Sequence, residues 1–118
     1  MATFEELAEE LAKKLNAEIL KAKSWLSIEY EPEAERKLSF YNAYLKIKVN
    51  GEVRMYRWWE VFDFGVARNR IKRWKKVNGE LEWERYYDNP YDLTKMDKTD
   101  RLVFEFMDKA DGMHRIQL

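Results

Sequence analysis

The chain has 118 residues, with 22 basic and 22 acidic side chains, no cysteine and one histidine. That inventory excludes disulfides, thiol chemistry, thiolate metal sites and any centre built on paired imidazoles, and zero net charge gives no steer toward nucleic acid or an anionic membrane. With 46% hydrophobic residues and no run near the roughly 20 apolar residues of a membrane helix, the expectation is one cytoplasmic domain over residues 1–118, its acidic start unlike a signal peptide.

Thr3 with Glu6 three positions later forms a capping box, and Phe4, Leu7, Leu11 and Leu15, with Ala8 and Ala12, make one apolar stripe. Glu5, Glu6, Glu9 and Glu10 suit the positive end of a helix dipole, and Lys13 and Lys14 follow Glu9 and Glu10 at i,i+4. The pattern predicts a helix over 3–22, although Asn16 is an alternative stop.

From Trp25 on, strands are predicted: Trp25–Glu31, a turn at Glu31-Pro32-Glu33-Ala34, then Leu38–Val49. Asn50-Gly51 is a strong two-residue hairpin signal, because a type I′ turn needs positive φ at both positions. Partners then sum to 101, which sets Val49 against Glu52, Ile47 against Arg54, Leu45 against Tyr56 and Ala43 against Trp58. Tyr41, Ala43, Leu45, Ile47 and Val49 should share the core face with Tyr56 and Trp58. Trp58 and Trp59 are adjacent and so point to opposite faces: one is core, and the other either covers the reverse side as part of a second buried layer, the favoured expectation, or is exposed.

Asn78-Gly79 repeats the signal with partners summing to 157: Lys75 against Glu82, Arg73 against Glu84, Trp74 against Trp83, and Arg85 beside Lys72. Residues 88–100 read as a long loop. Arg101–Met107, with Leu102, Phe104 and Phe106 alternating, reads as strand, Asp111-Gly112 as a turn, and Met113–Leu118 as the last strand. The sum is an α+β domain: an N-terminal amphipathic helix packed on a curved antiparallel meander of about seven strands (sheet 25–118), similar to cystatin-like wrapped-helix architectures. Fold alone assigns no function.

Charge is segregated along the chain. Residues 1–35 carry nine acids and four bases, 36–79 three acids and twelve bases, and 80–118 ten acids and six bases. The run Arg68-Asn69-Arg70-Ile71-Lys72-Arg73-Trp74-Lys75-Lys76 holds six bases and no acid. If Glu82 and Glu84 neutralise Lys75 and Arg73, then Arg68, Arg70, Lys72 and Lys76 remain, with Trp74 as a stacking ring: the ingredients of a nucleic-acid site. Aromatic residues at 15% fit either a ring-rich core or a stacking surface. Charged residues at 37%, with only one Gln, three Ser and three Thr, match a thermophile or a virus or plasmid of one, and an idealised engineered sequence would look similar.

Catalytic ingredients are thin. Glu60 and Asp63 are three apart and face opposite sides of a strand. Asp88, Asp92, Asp97 and Asp100 lack the spacing and glycine of a calcium loop. His114 has no nucleophile in a sharp turn to serve, and no glycine-rich phosphate loop exists. No metal or cofactor is implied. The leading expectation is a non-enzymatic interaction protein that acts through a protein partner or its own copy, anchored by Tyr91, Leu93 and Met96, with a homodimer as one form. The alternatives are a nucleic-acid-binding accessory protein using residues 68–76 and a metal-dependent hydrolase or nuclease.

Overall fold

The computed structural model describes residues 3–63, 66–77, 80–87 and 96–117, with backbone and register alone for 63, 66–72, 74–77, 80–87 and 114–117. The element order is α1 (Phe4–Leu15), β1 (Glu18–Glu31), β2 (Arg36–Val49), β3 (Glu52–Asp63), β4 (Val66–Val77), β5 (Glu80–Tyr87) and α2 (Lys98–Gln117). The strands form one antiparallel meander in the order β1-β2-β3-β4-β5.

The Thr3 hydroxyl accepts from the Glu6 amide at 3.1 Å, as the capping box requires. The helix stops at Leu15, not at residue 22. Asn16 turns left-handed at φ 51°, and the amide of Ala17 donates back to the Ala12 carbonyl at 2.9 Å, closing the last turn. Residues 18–22, expected as helix, open β1 instead and pair with the end of β2.

The first hairpin follows the turn arithmetic. Asn50 and Gly51 both have positive φ (51° and 76°), and Val49, Ile47, Leu45 and Ala43 stand opposite Glu52, Arg54, Tyr56 and Trp58. Tyr41, Ala43, Leu45, Ile47, Val49, Tyr56 and Trp58 are buried together against Phe4, Leu7, Ala8 and Leu11 of α1 and Val103, Phe104, Phe106, Met107 and Ala110 of α2. Both helices therefore lie on one face of the sheet. The rings of Phe4 and Phe106 meet at 5.0 Å, joining the helices.

Three expectations are corrected by this architecture. Among the described residues the sheet has five strands, not about seven, and it does not wrap a single helix. Arg101–Met107 and Met113–Gln117, expected as strands (the second through Leu118, which lies outside the described residues), belong to α2, and Asp111-Gly112 lies inside that helix rather than in a turn. The buried set Asp100, Val103, Phe104, Met107, Ala110 and Asp111 has helical spacing, and it outcompetes the two-residue alternation of Leu102, Phe104 and Phe106. In the second hairpin Lys75–Glu82 and Trp74–Trp83 pair as expected, but an irregularity between Arg73 and Trp74 sets Arg73 opposite Arg85 rather than Glu84, and Lys72 opposite Tyr86. The Asn78-Gly79 turn lies outside the described residues.

Arg73 finds its carboxylate elsewhere. Asp100, fully buried in the first turn of α2, accepts from Tyr56 Oη at 2.7 Å, from Arg54 Nη1 at 3.1 Å and from Arg73 Nη1. Asp97 caps the same helix through the Asp100 amide at 2.8 Å and reaches Arg54 at 2.8 Å. Further along, Asp111 accepts from the Trp58 indole at 2.9 Å. Burial, then the adjacent Asp100, pushes the Tyr56 phenol far above its ordinary value, so it stays a donor.

Removing one partner of a buried charge group leaves the others uncompensated. Asp100→Ala should lower the unfolding free energy by about 3–5 kcal/mol, read by urea denaturation; an effect within experimental error would show that the cluster does not hold α2 in place. Burial pushes the Asp97 carboxyl up, but the Asp100 amide and the two arginines outweigh that and hold it below its ordinary 3.8. Its contribution is therefore complete above that ordinary value and is lost as pH falls through the lowered one. Thermal melts should show Asp97→Asn less sensitive than the parent to acidification below that ordinary value; equal acid sensitivity would contradict the assignment.

Candidate functional site

The register sorts the sheet into two faces, and the face opposite the helices has a composition unlike the rest of the chain. Three rows cross it. The first runs Lys21, Lys46, Met55, Trp74, Trp83; the second Lys23, Tyr44, Arg57, Lys72, Tyr86; the third Trp25, Asn42, Trp59, Arg70. Of these fourteen positions six are cationic, six aromatic and none acidic, in a chain whose acids and bases are equal in number. Among the paired positions, carboxylates begin at the borders of these rows, with Glu18 opposite Lys48 at one end and Glu29, Glu31 and Asp63 toward the other, while Glu84 falls at the irregularity between β4 and β5 and has no paired position.

One part of the face is built around Asn42. Its amide nitrogen donates to Ser27 Oγ and to the Phe40 carbonyl, both at 3.1 Å, which fixes its oxygen to accept from Arg57 Nη2 at 2.8 Å. The Arg57 guanidinium then lies 4.5 Å from the centroid of the Trp25 ring, with Lys23 Nζ 4.9 Å from the same ring. Lys21 Nζ stands 5.8 Å from the Tyr44 ring. Arg57 Nη1 is buried without a hydrogen-bond partner among the described residues. Burial lowers the Arg57 pKa, yet a guanidinium keeps its charge at any physiological pH. Among the described residues no carboxylate pairs with Lys21, Lys23, Lys46 or Arg57. Lys21, Lys23 and Arg57 lie against rings rather than acids.

The residues singled out by sequence divide cleanly. Arg68, Arg70, Lys72 and Trp74 alternate onto this face, with Arg68 opposite Val61, and Lys76 continues the same alternation opposite Leu81. Arg73, from the same run, stands on the helix side. Lys21, Lys23, Lys46, Arg57, Trp25 and Tyr44 are not among the residues singled out, though the 101 register already aligns Tyr44 with Arg57 and Lys46 with Met55. Trp59 is half-buried on the open face, where a second buried layer was expected. Met96, expected as a surface anchor, is 9% exposed and packs in the core; Tyr91 and Leu93 lie outside the described residues.

Glu60 is occupied by the backbone, its Oε1 accepting from the Tyr41 amide at 2.7 Å. Asp97 and Asp100 are committed to the arginine cluster, and Asp88 and Asp92 lie outside the described residues. Among the described residues no group of three His, Cys, Asp or Glu side chains could hold a metal ion, and no helix is long and apolar enough to cross a membrane. Comparison with protein-family models, with curated proteins and with solved structures yields no match, so the functional reading rests on the geometry of this face.

Asn42→Ala would strip the hydrogen bond that the Arg57 guanidinium donates to Asn42 and should cost about 1.5–3 kcal/mol, the range for hydrogen bonds to charged groups. Urea denaturation measures it. A neutral substitution would mean that Arg57 is positioned by Trp25 alone.

Proposed function

We propose that the protein binds single-stranded nucleic acid across the open face of its sheet. The observation that carries the reading is the three-row field of cations and rings without a carboxylate. Phosphates need several cations that are not already paired, and unstacked bases need ring faces at strand spacing. Neighbouring strands lie about 4.8 Å apart, so adjacent rows and strands offer rings and cations on the scale of successive nucleotides. A duplex presents its bases edge-on inside grooves and cannot use the rings, so a broad sheet lined with aromatics favours unpaired strands. The role is that of a binding protein; no catalytic residue is assigned. The loop-anchored protein contact expected from sequence loses Met96 to the core.

The test is fluorescence anisotropy with labelled single-stranded and duplex oligonucleotides across a salt series. Contact with four to six phosphates predicts a slope of log K against log salt of about −3 to −4 for single strands. Arg70→Glu/Lys72→Glu should weaken binding at least about tenfold at low salt and flatten that slope. Trp59→Ala should cost about 1–3 kcal/mol of affinity without changing it. Lys98→Glu/Arg101→Glu in α2 makes the same change in net charge on the opposite side and should leave binding intact. Absence of binding at low salt, equal affinity for duplex, or equal losses in the α2 variant would each overturn the reading.

A further inference from the structure

Strand β1 is an edge of the sheet. The exposed large apolar side chains among the described residues, Leu20, Trp25, Leu26, Ile28 and Tyr30, all lie on it, with Ile28 71% and Tyr30 61% exposed. Protein edges are ordinarily blunted by prolines, bulges or short length. Here the pairing irregularity at Leu20 and the proline at Pro32 stand only at the two ends, leaving Lys21–Glu31 as an uninterrupted template.

We propose that a second copy of the chain occupies this edge, β1 against β1, antiparallel about a two-fold axis at Leu26. In a symmetric antiparallel pair the facing residues have a constant sum, which must be even for both strands to offer the same set of backbone groups. A sum of 52 sets Lys21 against the partner's Glu31 and Lys23 against the partner's Glu29, and the axis repeats both pairs. The core-side positions fit as well: Leu26 meets itself, Ile28 faces a serine (Ser24), and Tyr30 faces an alanine (Ala22). The irregular residue Leu20 falls against Pro32, so both interruptions coincide at each end. The neighbouring even sums are poorer. A sum of 50 keeps only Lys21 against Glu29, and 54 keeps only Lys23 against Glu31 while placing Trp25 against Glu29.

Such a pair would form about ten main-chain hydrogen bonds over this span and merge two sheets into one of ten strands. The axis stands perpendicular to the sheet, so the two ring-and-cation faces lie on the same side. The inference does not depend on the nucleic-acid reading, because its support is the edge, the exposed apolar residues and the charge register.

The test uses the absence of native cysteine. Leu26→Cys places two thiols across the axis at a Cα separation of about 4.5–5.5 Å, within disulfide reach. Ile28→Cys offsets the two by four residues, about 13 Å, beyond it. Mild oxidation should link Leu26→Cys into dimers and leave Ile28→Cys unlinked. Sedimentation equilibrium at high micromolar concentration should give a dimer for the parent, and monomers for Lys21→Glu/Lys23→Glu and for Glu29→Lys/Glu31→Lys separately. Their equimolar mixture should return the dimer, because each acidic strand then meets a basic one. Circular dichroism checks that each variant is folded. A monomeric parent, preferential linking through Ile28→Cys, or dimers that ignore the charge swaps would overturn the proposal, whatever the oligonucleotide measurements give.

Discussion

The buried carboxylate of Asp100 fixes the rest of the molecule. It binds Tyr56, Arg54 and Arg73 at once, and so ties the first turn of α2 to β3 and β4. Two guanidinium groups and a carboxylate taken from water stay favourable only when each is paired in good geometry, so α2 has one place to dock. That docking decides which face of the sheet is covered. It also fixes the alternation of β4: with Arg73 turned to the helix side, Arg70, Lys72 and Trp74 must take the other. The composition of the open face thus follows from an interaction on the closed one. The Asp111 bond to the Trp58 indole repeats the device further along the helix.

Much of the fold was legible where local chemistry dominates. Thr3 and Glu6 mark the start of α1, and Asn50-Gly51 sets a register that survives residue by residue into the sheet. The core face of β2 and β3 followed from that register alone. The failures share a cause. The buried stripe of α2 contains Asp100 and Asp111, two acids whose burial makes sense only once Arg54, Arg73 and Trp58 are placed. Without those partners the stripe looks broken, and the alternation of Leu102, Phe104 and Phe106 suggests a strand. The irregularity beside Arg73 is likewise invisible in the chain, and it displaced one expected ion pair while leaving two neighbouring pairs intact. Asn16 was readable as a stop, but the apolar positions Ile19 and Ala22 suit a strand as well as a helix.

The candidate site was legible in part, for the same reason. A basic run read along the chain mixes both faces of a strand, so residues 68–76 combined Arg73, which is structural, with Arg70 and Lys72, which are on the open side. The face itself is a two-dimensional object. Lys21, Lys46 and Met55 are far apart in sequence and neighbours in the sheet. Only the first hairpin register, extended outward to β1 and β4, brings Trp25, Tyr44 and Arg57 into one patch with Lys72.

Zero net charge argues against polyanion binding only if the charges are mixed on the scale that a phosphate senses. Screening at physiological salt limits that scale to about 8 Å. The helices carry Glu5, Glu6, Glu9 and Glu10 on α1 and Glu105 on α2, on the far side of a sheet and a helix layer each about 10 Å thick. Asp100 and Asp111 are buried, and Asp97 is held by arginine. These eight acids are therefore beyond reach of a ligand on the open face, or already bound, while Glu29 and Glu31 stand at its border. Pairing at the β1 edge would alter this locally, since Glu29 and Glu31 of a second copy would cover Lys23 and Lys21. The cations left to a ligand would then be Lys46, Arg57, Arg70 and Lys72, a track across β2, β3 and β4 on each half of the joined sheet.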